Sequence, residues 1–235
     1  SSDLDVAEAE MSRIDIYERF SMTVIGESRT GKTEFLSTVI LTAQSILNWD
    51  VYVIDNNDNS LFELCRKFLG KSSSVRYANK PDDMDKMVED IRTILVARKK
   101  TFWAEQDSQG EQFDAKSFIK QFDPLVIIID DFENFFDKAS EQSLNDFAQI
   151  IKNCNDTGAM FIVSANSQSI KRYMNSPAYG AVFTGRYGLL LGGAAGSQNV
   201  YNLNMTYQQA SVTYEAGQGY LIDNGLCTVI RTQRP

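Results

Sequence analysis

The sequence predicts an α/β fold: a mostly parallel central sheet flanked by helices, with an antiparallel hairpin at its C-terminal edge. Three observations carry this expectation. A glycine-rich loop at residues 26–33 separates a β-rich run from a helical one. The wholly aliphatic run Leu125-Val126-Ile127-Ile128-Ile129 has the composition of a strand buried on both faces of a parallel sheet. Strand-like and helix-like segments alternate from Ser21 onward, as crossover connections require.

Residues 21–25 read as a short strand and 34–43 as a helix. Val51-Tyr52-Val53-Ile54-Asp55 is β-rich and bounded by Asn48-Trp49-Asp50 and Asn56-Asn57-Asp58-Asn59, a strand between turn signals. Helical spacing follows over 61–69. After Pro81, Met84, Met87, Val88, Ile91, Ile94 and Leu95 recur at steps of three and four, with Asp82 and Asp83 in the first turn, which predicts a long amphipathic helix. Polar residues around Gly110 mark a loop, and 113–122 a short helix ending before Pro124. Residues 141–155 read as another amphipathic helix, closed by Asp156-Thr157-Gly158, and 160–163 as a further buried strand. Toward the C-terminus the chain becomes glycine-rich. A strand-like run covers 187–191, and the runs 217–222 and 226–230 flank Asp223-Asn224-Gly225, which predicts an edge hairpin.

The 235 residues suit one α/β domain, expected over 15–235, preceded at 1–14 by an acidic linker or arm (Asp3, Asp5, Glu8, Glu10) that suggests a piece of a longer chain. The longest apolar run is far short of the roughly 20 residues of a membrane helix, so no segment is expected to cross a membrane, and no signal peptide is read at the start. With 23 Lys+Arg against 31 Asp+Glu the net charge is −8, the wrong sign for gripping a nucleic-acid backbone. Cys65, Cys154 and Cys227 have no metal-site spacing and read as buried free thiols of a reducing compartment. Histidine is absent, which excludes Ser-His-Asp triads and histidine metal sites and leaves acid–base work to carboxylates, Lys or Tyr.

Gly26-Glu27-Ser28-Arg29-Thr30-Gly31-Lys32-Thr33 matches G-x-x-x-x-G-K-[ST] in the strand–loop–helix context that gives this pattern meaning. Its glycines let backbone N–H groups converge on phosphates. Lys32 would neutralise the β- and γ-oxygens of ATP, and Thr33 would join the Mg²⁺ shell. Such a site needs a carboxylate at the end of a neighbouring buried strand. Asp130 is expected to hold the Mg²⁺ water shell, and Asp131 to polarise the attacking water, unless the Asp-Asp pair merely caps the helix that follows. Glu133 is either a substitute for Asp131 or a solvated first-turn acid. At the end of the next strand Asn166 is read as a γ-phosphate sensor or as the N-cap of 169–173. Arg29, Arg172 and Arg186 are the candidates for an arginine finger.

Together, residues 26–33, Ile127-Ile128-Ile129-Asp130-Asp131, Ser164-Ala165-Asn166 and Ala216-Gly217-Gln218-Gly219-Tyr220 resemble the FtsK/SpoIIIE-type branch of RecA-like P-loop NTPases, from about residue 15 to the end. Within that branch the chain is most similar to the terminal ATPase modules of type VII secretion coupling proteins of the EssC/EccC kind. The resemblance implies a cytoplasmic domain of a membrane-anchored chain with sibling ATPase domains in tandem. It also implies hexamer-like assembly and small helical WXG-type secreted proteins as substrates. The chain departs from the active pattern at Asp131, where Glu is expected. That shorter arm implies weak or regulatory hydrolysis. The competing expectations are a DNA-translocating motor and a non-hydrolysing docking module on the same fold.

Overall fold

The computed structural model describes residues 16–69, 75–184 and 186–232; the arm expected at 1–14 lies outside them. In chain order the elements are β1 (Ser21–Gly26), α1 (Lys32–Thr42), β2 (Asp50–Ile54), α2 (Phe62–Arg66), β3 (Val75–Ala78) and α3 (Pro81–Gln109). There follow α4 (Ala115–Ile119), β4 (Leu125–Ile129), α5 (Phe132–Lys138), α6 (Glu141–Asn153), β5 (Ala159–Asn166) and α7 (Pro177–Phe183). The chain closes with β6 (Tyr187–Ala194), α8 (Tyr207–Ser211), β7 (Thr213–Asp223) and β8 (Leu226–Arg231).

The strands form one eight-stranded sheet in the order β3-β2-β4-β5-β1-β6-β7-β8. From β3 to β6 all neighbours are parallel, and β7 and β8 add to that edge antiparallel. The aliphatic run of β4 shows why the parallel part needs no polar alternation. Leu125, Ile127 and Ile129 pack with apolar residues of α3, α5 and α6 on one face, while Val126 and Ile128 pack with those of α1 and α2 on the other. Each such side chain, taken fully from water, contributes about 1.5–3 kcal/mol.

Most expected elements are present, with several differences, among them the short helix α8, which was not expected. The long helix α3 runs 29 residues, past its last periodic aliphatic residue, because Phe102 remains buried; it stops where Gly110 takes φ 57. The strand β3 was not expected, since four residues containing Arg76 carry too little pattern to read. Helix α7 was not expected either, although Ser176 caps it and Pro177 opens it. The C-terminal hairpin forms with Asn224 and Gly225 both in the left-handed region (φ 51 and 86), as its two-residue turn requires. Cys65 and Cys154 are buried and unpaired, whereas Cys227, on the edge strand, is unpaired but only half-buried. No helix among the described residues is long and apolar enough to cross a membrane.

Candidate functional site

Parallel pairing brings the carboxyl ends of β1, β2, β4 and β5 to one edge of the sheet. Gly26 lies opposite Asn166, Ile54 opposite Ile129, and Ile129 opposite Val163. The residues just beyond the end of β4, Asp130 and Asp131, therefore come to the loop at 26–33, while Asp55, beyond β2, is engaged by Leu61 N and the Tyr77 hydroxyl.

That loop turns through two left-handed residues, Arg29 (φ 63) and Gly31 (φ 97). A Cβ on Gly31 would stand 2.8 Å from the Gly217 nitrogen, which itself donates to the Thr30 carbonyl at 2.9 Å. The glycine-rich segment of β7 thus braces the loop from behind. Helix α1 opens from Gly31 with no side-chain cap bond, the arrangement that can receive an anion. Lys32 Nζ lies across the loop and donates to the carbonyls of Gly26 (3.0 Å) and Glu27 (2.6 Å). Burial draws its pKa down, against the pull of Asp130, Glu133, Asp131 and Glu34. An uncapped helix end beside a half-buried ammonium fits phosphate oxygens.

Asp130 is 3% exposed and held by three elements. Ser164 Oγ of β5 donates to Oδ1 at 2.6 Å; Thr33 Oγ1 of α1 and Asn56 Nδ2, just after β2, donate to Oδ2 at 3.3 and 3.1 Å. Burial pushes its carboxyl above the usual range, opposed by the Ser164 bond and reinforced by Asp55 and Asp131. Thr33 and Asp130 present hard oxygen donors side by side, the chemistry that suits a hydrated Mg²⁺.

Asp131 sits at the N-terminus of α5 in the left-handed region (φ 64), and its Oδ1 accepts from Asn134 N at 3.2 Å. Its backbone N–H donates to Ser164 Oγ at 2.9 Å, so one serine positions both aspartates. Glu133 is not solvated. It is 5% exposed, because Phe132, Phe135 and Phe136 bury the whole first part of α5. Its Oε1 accepts from Asn166 N (2.9 Å) and Ser169 Oγ (2.7 Å), and burial raises its pKa, with Asp131 adding to the rise. Asn166 lies at the sheet edge beside Gly26, and its Oδ1 accepts from Gln168 N and Ser169 N, which closes the turn leading into 169–173, whose N-cap position is Gln168. The three arginines separate. Arg29 is exposed in the loop itself, and Arg172 pairs with Asp137 at 3.6 Å beside the 169–173 turn. Arg186 lies just before β6, at the opposite end of the sheet.

No protein-family model and no curated protein sequence matches the chain. Solved structures do. The cytoplasmic domain of EssC superposes with a TM-score of 0.77 at 15% identity, covering 94% of this chain and 41% of that one. EccC of Thermomonospora curvata (ATPases 2 and 3), in complex with a signal sequence peptide, superposes at 0.67 with 17% identity over 94% and 38%. The pCW3 conjugation coupling protein TcpA, with ATPγS, gives 0.70 at 12% over 94% and 62%. This chain has the fold of the EssC and EccC ATPases. It spans about two fifths of the EssC and EccC structures it matches. The mostly parallel sheet with antiparallel C-terminal strands belongs to that fold, and the 26–33 loop lies at the carboxyl edge of its parallel part.

Proposed function

We propose that this chain is an ATP- and Mg²⁺-binding ATPase module of a type VII protein-secretion coupling protein, one that holds nucleotide more effectively than it cleaves it. The observation that carries the reading is the pairing of Thr33 Oγ1 with Asp130 Oδ2 at 3.3 Å, beside Lys32 and the uncapped start of α1. Lys32 and the backbone of residues 26–33 would hold the phosphates, and Thr33 and Asp130 the metal. When bound, Mg²⁺ would neutralise charge on the phosphate oxygens. Asp131, short and engaged with its own helix, supports slow hydrolysis. The EccC structure, ATPases 2 and 3 in complex with a signal sequence peptide, supports recognition of a secreted protein's signal segment and a sibling ATPase domain in tandem; the resemblance of the sequence motifs adds small helical WXG-type proteins as substrates and a hexamer-like assembly. The EssC cytoplasmic domain supports a place on the cytoplasmic side of a membrane-anchored chain.

Calorimetric titration with ATP and Mg²⁺ tests the reading, with Lys32→Ala expected to weaken binding about 100-fold, close to 3 kcal/mol, without loss of the fold. Unchanged affinity in that variant rejects it. A chain that ignores nucleotide but takes the tail peptide of a WXG-type protein is the docking module instead. DNA binding that is tight at moderate salt makes it a DNA motor.

A further inference from the structure

The β6–β7 ladder is regular from Tyr187 opposite Asp223 to Leu191 opposite Gly219, then breaks and resumes with Gly193 opposite Tyr214. Gly192 of β6 thus faces residues 215–218 of β7, a bulge of the kind that re-aims backbone groups beside active sites. Thr30 of the phosphate loop fills this gap. Its carbonyl accepts the Gly217 N–H at 2.9 Å, and a Cβ on Gly192 would come within 2.6 Å of its Cγ2. Position 30 is one that the motif leaves unspecified, yet the residue is only 8% exposed.

The bond to Thr30 aims the next amide. The C=O and N–H of a trans peptide point in opposite directions, so holding the Thr30 oxygen against β7 turns the Gly31 N–H to the side of the loop away from β7. The flanking residues Arg29 (φ 63) and Gly31 (φ 97) are left-handed, and glycine at 31 leaves that peptide plane free to turn unless something outside the loop fixes it. Gly217 is itself left-handed (φ 80), but its carbonyl is pinned by Thr232 N at 2.7 Å and Thr232 Oγ1 at 3.1 Å. Thr232 is buried and directly follows β8, one step past the last ladder pair, Gln218 with Arg231.

We propose that Gly217 and Thr232 are positioning residues of the phosphate site: through Thr30 they set the direction of the Gly31 N–H, and so couple the antiparallel edge of the sheet to nucleotide affinity. The inference rests on the nucleotide reading above. Both residues act on the backbone of the loop, not on the nucleotide. Linkage makes the coupling reciprocal, so bound ATP–Mg²⁺ holds the bonds from Thr30 through Gly217 to Thr232 closed.

The test measures ATP–Mg²⁺ affinity by calorimetry, melting temperature, and hydrogen exchange of the Gly217 amide in the full chain. Thr232→Val removes the hydroxyl bond at nearly constant shape and should weaken ATP about fivefold, while Thr232→Ser should stay within about twofold of native. Gly217→Ala sets a Cβ 3.0 Å from Thr232 Oγ1 at a φ that alanine disfavours, and should weaken ATP about 30-fold. Thr232→Val decides the matter if Gly217→Ala does not fold. Ile230→Val, buried in β8 but outside this chain of bonds, should lower the melting temperature as far as Thr232→Val does and leave affinity within about twofold. In the native chain ATP–Mg²⁺ should slow exchange of the Gly217 amide about tenfold. Native affinity in Thr232→Val overturns the inference, as does an Ile230→Val variant that loses affinity equally, or a Gly217 amide whose exchange ATP leaves unchanged. A native chain that fails to bind ATP overturns the nucleotide reading, and this inference falls with it.

Discussion

The two ends of the sheet treat buried polar groups in opposite ways. At the amino end, Lys99 is 7% exposed and its ammonium donates to Asn155 O (2.9 Å), Asn155 Oδ1 (3.1 Å) and Asp156 Oδ2 (3.2 Å), with the Phe102 ring 4.7 Å away. Its neighbour Arg98 donates to the carbonyls of Asp123 and Thr157, and buried Thr157 Oγ1 to that of Cys154. These bonds tie α3 to the turns that lead into β4 and β5. At the carboxyl end, Lys32 meets only carbonyls of its own loop, burial pushes the Asp130 and Glu133 carboxyls upward, and a buried oxygen is left over. One end pairs its lysine with a carboxylate and so holds the fold; the other crowds carboxylates beside a lysine bonded only to carbonyls, which costs stability and leaves those charges to act on a ligand.

Asp130→Asn probes the carboxyl end, with an expected effect on binding as large as that of Lys32→Ala. The Mg²⁺-dependent part of ATP affinity should fall about 100-fold, or about 2.7 kcal/mol, by calorimetry with and without EDTA. Thermal stability should stay within about 1 kcal/mol of the parent, because the substitution also removes a charge that burial disfavours. Lys99→Met is the converse. It strands the acceptors of Asn155 and Asp156 and should cost about 2 kcal/mol, a fall in melting temperature of roughly 4–8 °C for a domain of this size, with ATP affinity unchanged. If Asp130→Asn proves the more destabilising of the two, or Lys99→Met weakens ATP, the contrast between the ends is wrong.

Much of the carboxyl end was legible in the sequence, for local reasons. The glycine loop announces itself through residue types that only a tight phosphate turn needs, and β4 through an aliphatic run ending in an aspartate. The partners of Asp130 were not legible, because Asn56, Ser164 and Thr33 come from three elements that only strand order brings together. Nothing local links Gly217 to Thr30 either. Glu133 misled for a different reason. A first-turn glutamate is usually exposed, and the signal against it was Phe132, Phe135 and Phe136, aromatics too closely set to leave that turn of α5 a solvent face. The edge hairpin was readable from Asn224-Gly225 alone, since few residues other than Asn and Gly accept the conformation that turn demands.

Asn56 divides the two kinds of role within one side chain, and its removal gives the smallest effect and the sharpest question. Its Oδ1 accepts from Asp58 N at 2.9 Å and from Ser60 Oγ at 3.2 Å, which builds the turn after β2; its Nδ2 steadies the carboxylate oxygen that Thr33 also bonds. Asn56→Ala should therefore cost about 1 kcal/mol in stability by denaturant titration and weaken ATP–Mg²⁺ about threefold. Loss of stability at unchanged affinity would class Asn56 with Lys99, as a residue that holds the chain. Loss of affinity at unchanged stability would mean that the orientation of the Asp130 carboxylate, more than the turn, is what Asn56 maintains, and that the carboxyl end is shaped by the ligand it receives.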